Sequence, residues 1–219
     1  MIELIDYYLV GRRSGNGLQG YNLNLSRGDV CAVQSDSHAD AHTFLKALAT
    51  LVSPLRGEYR FMGEALDFSD YRELLPFKKR IGYIGSDAAM ISNFTIRDNL
   101  LLMRQYSENT LDVEIDANMA ELIRLFEFGD KLEMKPGGLN PPILRLAIAV
   151  RELSKSPDLL LLEYPEDYIG SAKLKVFTQI LSRMPLSQMV VVFVTEDKDL
   201  VKQFANTHVA ISEGNLAKR

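Results

Sequence analysis

The sequence has a single cysteine, Cys31, and this excludes an internal disulfide. It also has no excess of positive charge, because 25 lysines and arginines stand against 29 aspartates and glutamates. The resulting net charge of −4 argues against a surface for nucleic acid or anionic lipid. No apolar run approaches the roughly 18–20 residues of a membrane span, and the acidic, alternating N-terminus is not that of a signal peptide. We therefore expect a cytoplasmic protein that neither binds nucleic acid nor inserts into a membrane.

Three apolar stretches without polar alternation are typical of buried strands: residues 30–33, 159–162 and 189–194. Helical patterns separate these stretches along the chain. This order predicts a parallel sheet with helices on both faces, which is the arrangement of α/β proteins. A chain of 219 residues is long enough to bury such a core in a single domain.

The two ends of the chain have a different pattern. Residues 2–10 and 21–25 predict two N-terminal strands, separated by a glycine-rich turn at 11–20. Residues 208–219 predict a closing hairpin. An antiparallel β portion therefore accompanies the parallel sheet.

Residues 96–154 contain helical patterns and no strand pattern. We predict that this section forms a helical lobe, and that residues 1–95 and 155–219 form the core α/β lobe. Within the helical section we predict a helix over 113–128. A rigid, non-helical connection rich in proline and glycine follows at 136–142, and the next helix begins at residue 143.

Residues 28–51 have the order strand, polar loop, helix, which is that of a phosphate-binding loop. Most residues of the motif G-x-x-x-x-G-K-[ST] are nevertheless missing. Its two glycines, its lysine and its hydroxyl are replaced in turn by Ser35, Asp40, Ala41 and His42. His38 places another side chain where glycine is usual, whereas Thr43 keeps a hydroxyl. The order of elements is kept, and most of the phosphate-binding chemistry is absent.

Six short sequence segments follow one another in the order and spacing of one family, and together they resemble the ATP-binding subunit of an ABC transporter. They are residues 28–30, 81–83, 94–100, 145–151, 157–162 and 191–197. The resemblance runs essentially end to end. It implies an α/β, ABC nucleotide-binding-domain-like fold: a P-loop-type sheet core covered by helices, an N-terminal antiparallel β portion and a helical lobe.

The departures from the family's pattern fall on its functional positions. By the resemblance, Ser86 takes the place of the Q-loop glutamine, and Glu196 that of the switch histidine. Glu163 and Tyr164 replace the Walker B aspartate and the catalytic glutamate, and tyrosine is a poor base near neutral pH. The signature sequence becomes residues 139–143, in which two prolines have no N–H to donate to a phosphate.

The substitutions in the loop disfavour a bound nucleotide. Glycines let a phosphate approach the backbone and the lysine neutralises it, whereas Ala41 supplies no cation. We expect Asp40 to point its carboxylate at a bound polyanion. At ~4 Å such a pair repels by about 4 kcal/mol at an effective dielectric of roughly 20. Glu196 adds to the same field, so we expect no cofactor, and MgATP only if the loops work in a divergent way.

The resemblance also implies partners. These are a membrane permease subunit or an ABC ATPase paralogue, with a homodimer as an open alternative, and a permease would hold the protein at the inner face of the membrane. Met90, Phe94 and Ile96 are candidates for the groove that receives the permease. The other interpretation of these three residues is that they belong to the core of the helical lobe.

The loop also alternates Asp36, His38, Asp40 and His42, residue types that suit zinc or manganese. Alternation within a loop fixes no ligand geometry, and the same residues are typical of a solvated loop that caps the next helix. We therefore assign no metal ligands.

Three hypotheses of function follow. The first is a non-catalytic ABC ATP-binding-subunit homologue that acts as a structural or regulatory partner of a permease or an active ATPase subunit. The second is an ATPase with divergent loops that still binds or hydrolyses ATP. The third is a metal- or small-ligand-binding protein that reuses the emptied site.

Overall fold

The computed structural model describes residues 1–11, 15–184 and 186–218, without the side chains of residues 168–176. Its strands are β1 (Ile2–Val10), β2 (Gly17–Leu25), β3 (Val30–Ser35), β4 (Arg56–Phe61), β5 (Glu64–Ala65), β6 (Ile81–Ile84), β7 (Leu159–Glu163), β8 (Val190–Val194), β9 (Thr207–Ser212) and β10 (Asn215–Lys218). Its α-helices are α1 (His38–Leu48), α2 (Leu75–Lys78), α3 (Ile96–Glu108), α4 (Ala117–Phe126), α5 (Pro141–Leu153), α6 (Pro165–Arg183) and α7 (Lys198–Phe204).

A six-stranded sheet in the order β10-β9-β3-β8-β7-β6 forms the centre of the molecule. All its neighbouring strands are parallel except β10, which pairs antiparallel with β9 as the closing hairpin. β7 and β8 are buried along their whole length, because helices cover both faces of a parallel sheet. The predicted α/β fold with a parallel sheet core is confirmed.

β3 shows how the two faces of this sheet are used. Successive side chains of a strand point to opposite faces. Val30 and Ala32 join one apolar cluster with helices α3 to α6, whereas Cys31 and Val33 join another with α1 and the second sheet. Cys31 is fully buried, and burial raises the pKa of its thiol to about 12. It is a structural thiol, as its place in an apolar strand indicates.

The second sheet is antiparallel, with the order β2-β1-β4-β5, and α1 contacts strands of both sheets. The predicted N-terminal antiparallel β portion is therefore confirmed. The glycine-rich turn is shorter than predicted, because β2 already begins at Gly17 and pairs with Val10. Residues 12–14 of that turn lie outside the described residues.

The prediction of a non-helical connection at 136–142 is wrong at both ends, because residues 136–138 form a short 3-10 helix and Pro141 and Pro142 are the first residues of α5. Proline is tolerated there because the first N–H groups of a helix have no acceptor within the helix. Asn140 caps the helix by accepting a hydrogen bond from the N–H of Ile143 at 3.0 Å. The helix predicted over 113–128 begins later, since Asp116 caps α4 through the N–H of Met119.

Between β6 and β7 the described chain contains helices and no strand, as expected. α3, α4 and α5 share one apolar cluster with a face of the parallel sheet. The division into a helical lobe and a core lobe stays a prediction. Within the described ranges, no helix has both the length and the apolar composition to cross a bilayer.

Candidate functional site

A cleft of about 480 Å³ opens beside the N-terminal half of α1, at the carboxyl end of β7. This edge of a parallel sheet is where α/β proteins bind ligands. We call it the α1 cleft. Its lining includes Lys46, Asp167 and six of the predicted site residues, which are His38, His42, Thr43, Ser86, Glu163 and Tyr164.

Two histidines one turn apart on α1 face this cleft. Ser37 caps the helix by accepting a hydrogen bond from the N–H of Asp40 at 3.2 Å, which fixes where the first turn begins. From that turn His38 and His42 lie four residues apart and therefore on the same side of the helix. The third histidine of the chain, His208, lies in β9.

His42 lies between two carboxylates. Its Nδ1 is 2.8 Å from Oε1 of Glu163, and its Nε2 is 3.6 Å from Oδ2 of Asp87. Lys46, one turn further along α1, places its Nζ 2.5 Å from the same oxygen of Asp87. Burial alone would raise the pKa of Asp87, but the hydrogen bond and charge of Lys46, with His42, hold that pKa below its usual value.

Glu163 ends β7 and has a side chain that is only 3% exposed. Its second oxygen, Oε2, accepts a hydrogen bond from the backbone N–H of Ser86 at 2.6 Å. Both carboxylate oxygens are thus engaged by groups of the same chain. The residues that the resemblance assigned to the Q-loop, the phosphate-binding loop and Walker B meet at this one carboxylate.

His38 and Tyr164 form the outer edge of the cleft. Their rings stack with centroids 4.9 Å apart and planes at 18°, and Nε2 of His38 is 3.3 Å from Oε1 of the exposed Glu196. Tyr164 has a left-handed backbone, with φ of 46°, at the start of α6. Burial, and then the charge of Glu163, raises the pKa of Tyr164 to about 12, so the phenol keeps its proton at neutral pH.

The prediction that Asp40 points its carboxylate at a bound polyanion is wrong. Asp40 is 1% exposed, and its carboxylate turns away to the β1–β2 turn. There it accepts hydrogen bonds from the N–H groups of Gly17 at 2.8 Å and Asn16 at 3.1 Å. A buried carboxylate needs such donors, and this turn supplies them. Gly15 is required next to it, because a Cβ there would lie 2.4 Å from Oδ1.

The remaining loop residues are also buried or bonded to groups of the same chain. Ala41 is fully buried in the cluster beneath the antiparallel sheet. The hydroxyl of Thr43 donates to the carbonyl of Ala39 at 2.8 Å, and that of Ser35 donates to the carbonyl of Ser37 at 2.8 Å. Among the described residues no group of three or more potential ligands is arranged to hold a metal ion.

The three residues predicted to receive a permease differ in how far they are buried. Ile96 is fully buried, so its assignment to a groove is wrong and its alternative as core is confirmed. Its position at the start of α3, which packs on the sheet, explains the burial. Met90 packs partly buried against the same cluster, and Phe94 is 39% exposed.

A second cleft, of about 430 Å³, lies between the end of α1, β6 and helices α3 and α5. We call it the basic cleft, because four cations and two carboxylates line it: Lys46, Lys78, Arg151, Lys155, Asp87 and Glu152. Its apolar part includes Leu51, Leu102 and Met103, and Leu51 is 50% exposed. Sequence reasoning missed these residues. Leu51 continues the apolar spacing of α1 in the sequence, so the pattern carried no signal that it is exposed.

Comparison with known proteins finds relatives over the whole length of the chain. No protein-family model matches it. Over its whole length it is 25% identical to the methionine import ATP-binding protein MetN of Helicobacter pylori, covering 67% of that protein. To MetN of Photorhabdus laumondii it is 24% identical over 95% of the chain and 61% of that protein. The chain is an ABC ATP-binding-subunit homologue.

This homologue spans about two thirds or less of the length of these relatives. Solved structures share its fold throughout. A dimeric bacterial ABC transporter cassette, MJ0796, superposes with a TM-score of 0.83 at 21% identity, covering 100% of this chain and 98% of that one. The ATP-binding subunit of another ABC transporter superposes with a TM-score of 0.85 at 16% identity, covering 100% and 89%. The ABC-cassette fold that the resemblance implied is confirmed.

Proposed function

We propose that this homologue is a non-catalytic member of the ABC ATP-binding subunits, acting as a structural or regulatory partner of a membrane permease or an active ATPase subunit. The pair formed by His42 and Glu163 carries the proposal. In P-loop NTPases, Mg²⁺ is held by the loop's hydroxyl and the Walker B aspartate. His42 and Glu163 stand at those two positions, and they bind each other at 2.8 Å.

The residues do not fit MgATP. A metal ion would need an oxygen of Glu163, yet one oxygen is bonded to His42 and the other to the N–H of Ser86. Freeing Glu163 would leave a carboxylate that is 3% exposed without the imidazole that bonds to it, and a buried polar group that loses its partner is costly. We therefore derive no reaction step through this nucleotide.

The phosphate positions support the same proposal. Residues 34–43 contain neither glycine nor lysine. Position 41, which the motif assigns to lysine, holds an alanine that is fully buried, and the N–H of Asp40 already donates to Ser37. A phosphate would therefore meet neither the cation nor the open backbone that P-loops provide.

The signature position supports the same proposal for a second site, the one at which this chain would contact a nucleotide bound by a partner subunit. Pro141 and Pro142 have no N–H, and the N–H of Ile143 is bonded to Asn140. A partner's nucleotide facing this helix start would find its first donors absent or occupied. The homologue would then complete neither its own site nor a partner's site.

The basic cleft supports a protein partner. Its two carboxylates pair with three of its cations, Asp87 with Lys46, and Glu152 with Arg151 and Lys155. The cations exceed the carboxylates by two, and exposed apolar surface at Leu51 accompanies them. An amphipathic segment with carboxylates beside an apolar stripe fits such a cleft.

A thermal-shift and phosphate-release experiment tests the proposal. The purified protein should neither gain thermal stability nor release phosphate with millimolar MgATP, while the Helicobacter pylori MetN protein serves as the positive control. Nucleotide-dependent stabilisation with sustained phosphate release would overturn the proposal.

An ATPase with divergent loops is the second candidate. Two observations favour it: the relatives are named as ATP-binding proteins, and the α1 cleft keeps a volume of about 480 Å³ at the usual edge of the sheet. It requires His42 to move off Glu163 when the nucleotide enters. The same experiment decides between the two candidates.

A further inference from the structure

The segment that links the sheet to the helices is bonded from both sides. The chain leaves β6 at Ile84 and enters α3 at Ile96, so residues 85–95 form this linking segment. On the helix side, Arg145 of α5 donates from Nη1 to the carbonyl of Gly85 at 2.7 Å and from Nη2 to the carbonyl of Ser86. On the sheet side, the N–H of Ser86 donates to Glu163 of β7 at 2.6 Å.

The rest of the segment is held in the same way. Arg151 of α5 donates to the carbonyl of Ala89 at 3.2 Å. Asn99 of α3, which is 1% exposed, accepts from the N–H of Ile91 at 2.7 Å and donates to its carbonyl at 3.0 Å. Side chains from one strand and two helices thus bond the backbone at four residues of seven, from Gly85 to Ile91.

We propose that the linking segment is a fixed strut that keeps the basic cleft formed without nucleotide. One wall of that cleft is on the sheet side, with Lys78 and Ile81, and the other on the helix side, with Leu102 and Met103. The segment joins these walls. The planar guanidinium of Arg145 fits two successive carbonyls, so it resists rotation of α5 against β6 more than a single bond would.

The functional consequence is that a partner binds a cleft that is permanently open. This consequence rests on the proposed function, but the strut is a property of the isolated chain and is tested on the chain alone. Added nucleotide would then leave the affinity of the partner for the cleft unchanged, because binding requires no rearrangement of the walls.

Spin labels at K78C and M103C measure the distance between the walls by pulsed electron resonance. Cys31 is buried with its thiol pKa raised to about 12, so the label reaches only the new cysteines. Hydrogen exchange of the amides of residues 85–91 is followed in parallel. The unlabelled wild-type protein is the reference for the exchange.

We expect a single narrow distance in the parent and a broader distribution in R145M. Exchange of the segment's amides should accelerate about tenfold in R145M, since two hydrogen bonds are lost. The matched control is R97M, which removes the exposed pair of Arg97 and Glu133 within the helical section. It should change neither readout. R145K, with one ammonium in place of the fork, should lie between R145M and the parent.

Unchanged distances and exchange in R145M, or equal changes in R97M, would overturn the strut. If R145M did not fold, the comparison of R145K with R97M would decide in the same way. A calorimetric titration of the same samples with MgATP separates this inference from the proposed function. Heat without a change in the wall distance would contradict the proposed function and support the strut, whereas a nucleotide-dependent shift in that distance would overturn the strut.

Discussion

The imidazole of His42 lies 2.8 Å from the carboxylate of Glu163, although the two residues are 121 positions apart in the chain. Their contact joins the N-terminal half of α1 to the end of β7, and both side chains line the α1 cleft. Glu163 is also the acceptor for the N–H of Ser86. An imidazole supplied by the chain thus stands at the position where a P-loop protein holds its metal.

Replacing His42 with serine should lower the free energy of unfolding by about 1–3 kcal/mol, because Oε1 of the buried Glu163 loses its partner. The control is H38S. It removes a contact between His38 and Glu196, whose side chains are 71% and 75% exposed, and it should cost less than about 1 kcal/mol. Urea unfolding of both variants measures the difference. Equal losses in the two variants would mean that the buried contact of His42 with Glu163 stabilises the fold no more than the exposed contact of His38 with Glu196.

Replacing Asp40 with alanine should destabilise the protein by about 2 kcal/mol, since the buried N–H of Gly17 and the partly buried N–H of Asn16 lose their acceptor. Replacing Gly15 with alanine should act on the same contact, because the new Cβ would collide with Oδ1 of Asp40. D112A, in an exposed loop, is the control for removing an aspartate. Denaturant midpoints that matched the control in D40A would refute the role of this carboxylate.

Asp40 also shows why part of the site was beyond sequence reasoning. Its place in the loop suggested a carboxylate aimed at a ligand, but the donors that capture it lie 23 and 24 positions earlier in the chain. Only the packing of the β1–β2 turn over α1 brings them together. The pair of His42 and Glu163 is a different case, because both were chosen as site residues and only their direct bond was unforeseen.

The fold was more accessible to sequence reasoning than the site. The unalternated apolar runs of β3, β7 and β8 required a sheet buried on both faces, and the structure has it. The start of α5 could also have been predicted. Asn140 followed by two prolines is a helix-start signal, and it outweighs the high proline and glycine content that indicates a connection.

Restoring the catalytic glutamate alone should not create an ATPase. Y164E should release no phosphate from MgATP, since on the proposed function His42 still binds Glu163 at the position of the metal. The double variant H42S/Y164E frees that carboxylate and is the informative comparison. Phosphate release by Y164E alone would show that the histidine does not block the site.

Acid should remove the stabilising effect of the pair formed by Lys46 and Asp87. Lys46 and His42 hold the folded-state pKa of Asp87 below its usual value, against the opposing effect of burial. The pair therefore stabilises the fold above the ordinary aspartate pKa of about 4, and this is lost as the pH falls through the lower folded-state pKa. The difference in Tm between the wild type and K46M should shrink as the pH falls below about 4. A difference that stayed constant down to unfolding would contradict this role of Asp87.

The most direct test of the account is a calorimetric titration of the purified protein with MgATP, with the Helicobacter pylori MetN protein as positive control. The account predicts no saturable heat up to millimolar nucleotide, because the chain's own histidine and backbone occupy the groups that would bind it. Saturable binding with a dissociation constant well below about 1 mM, weakened by T43A or E163A, would contradict the account.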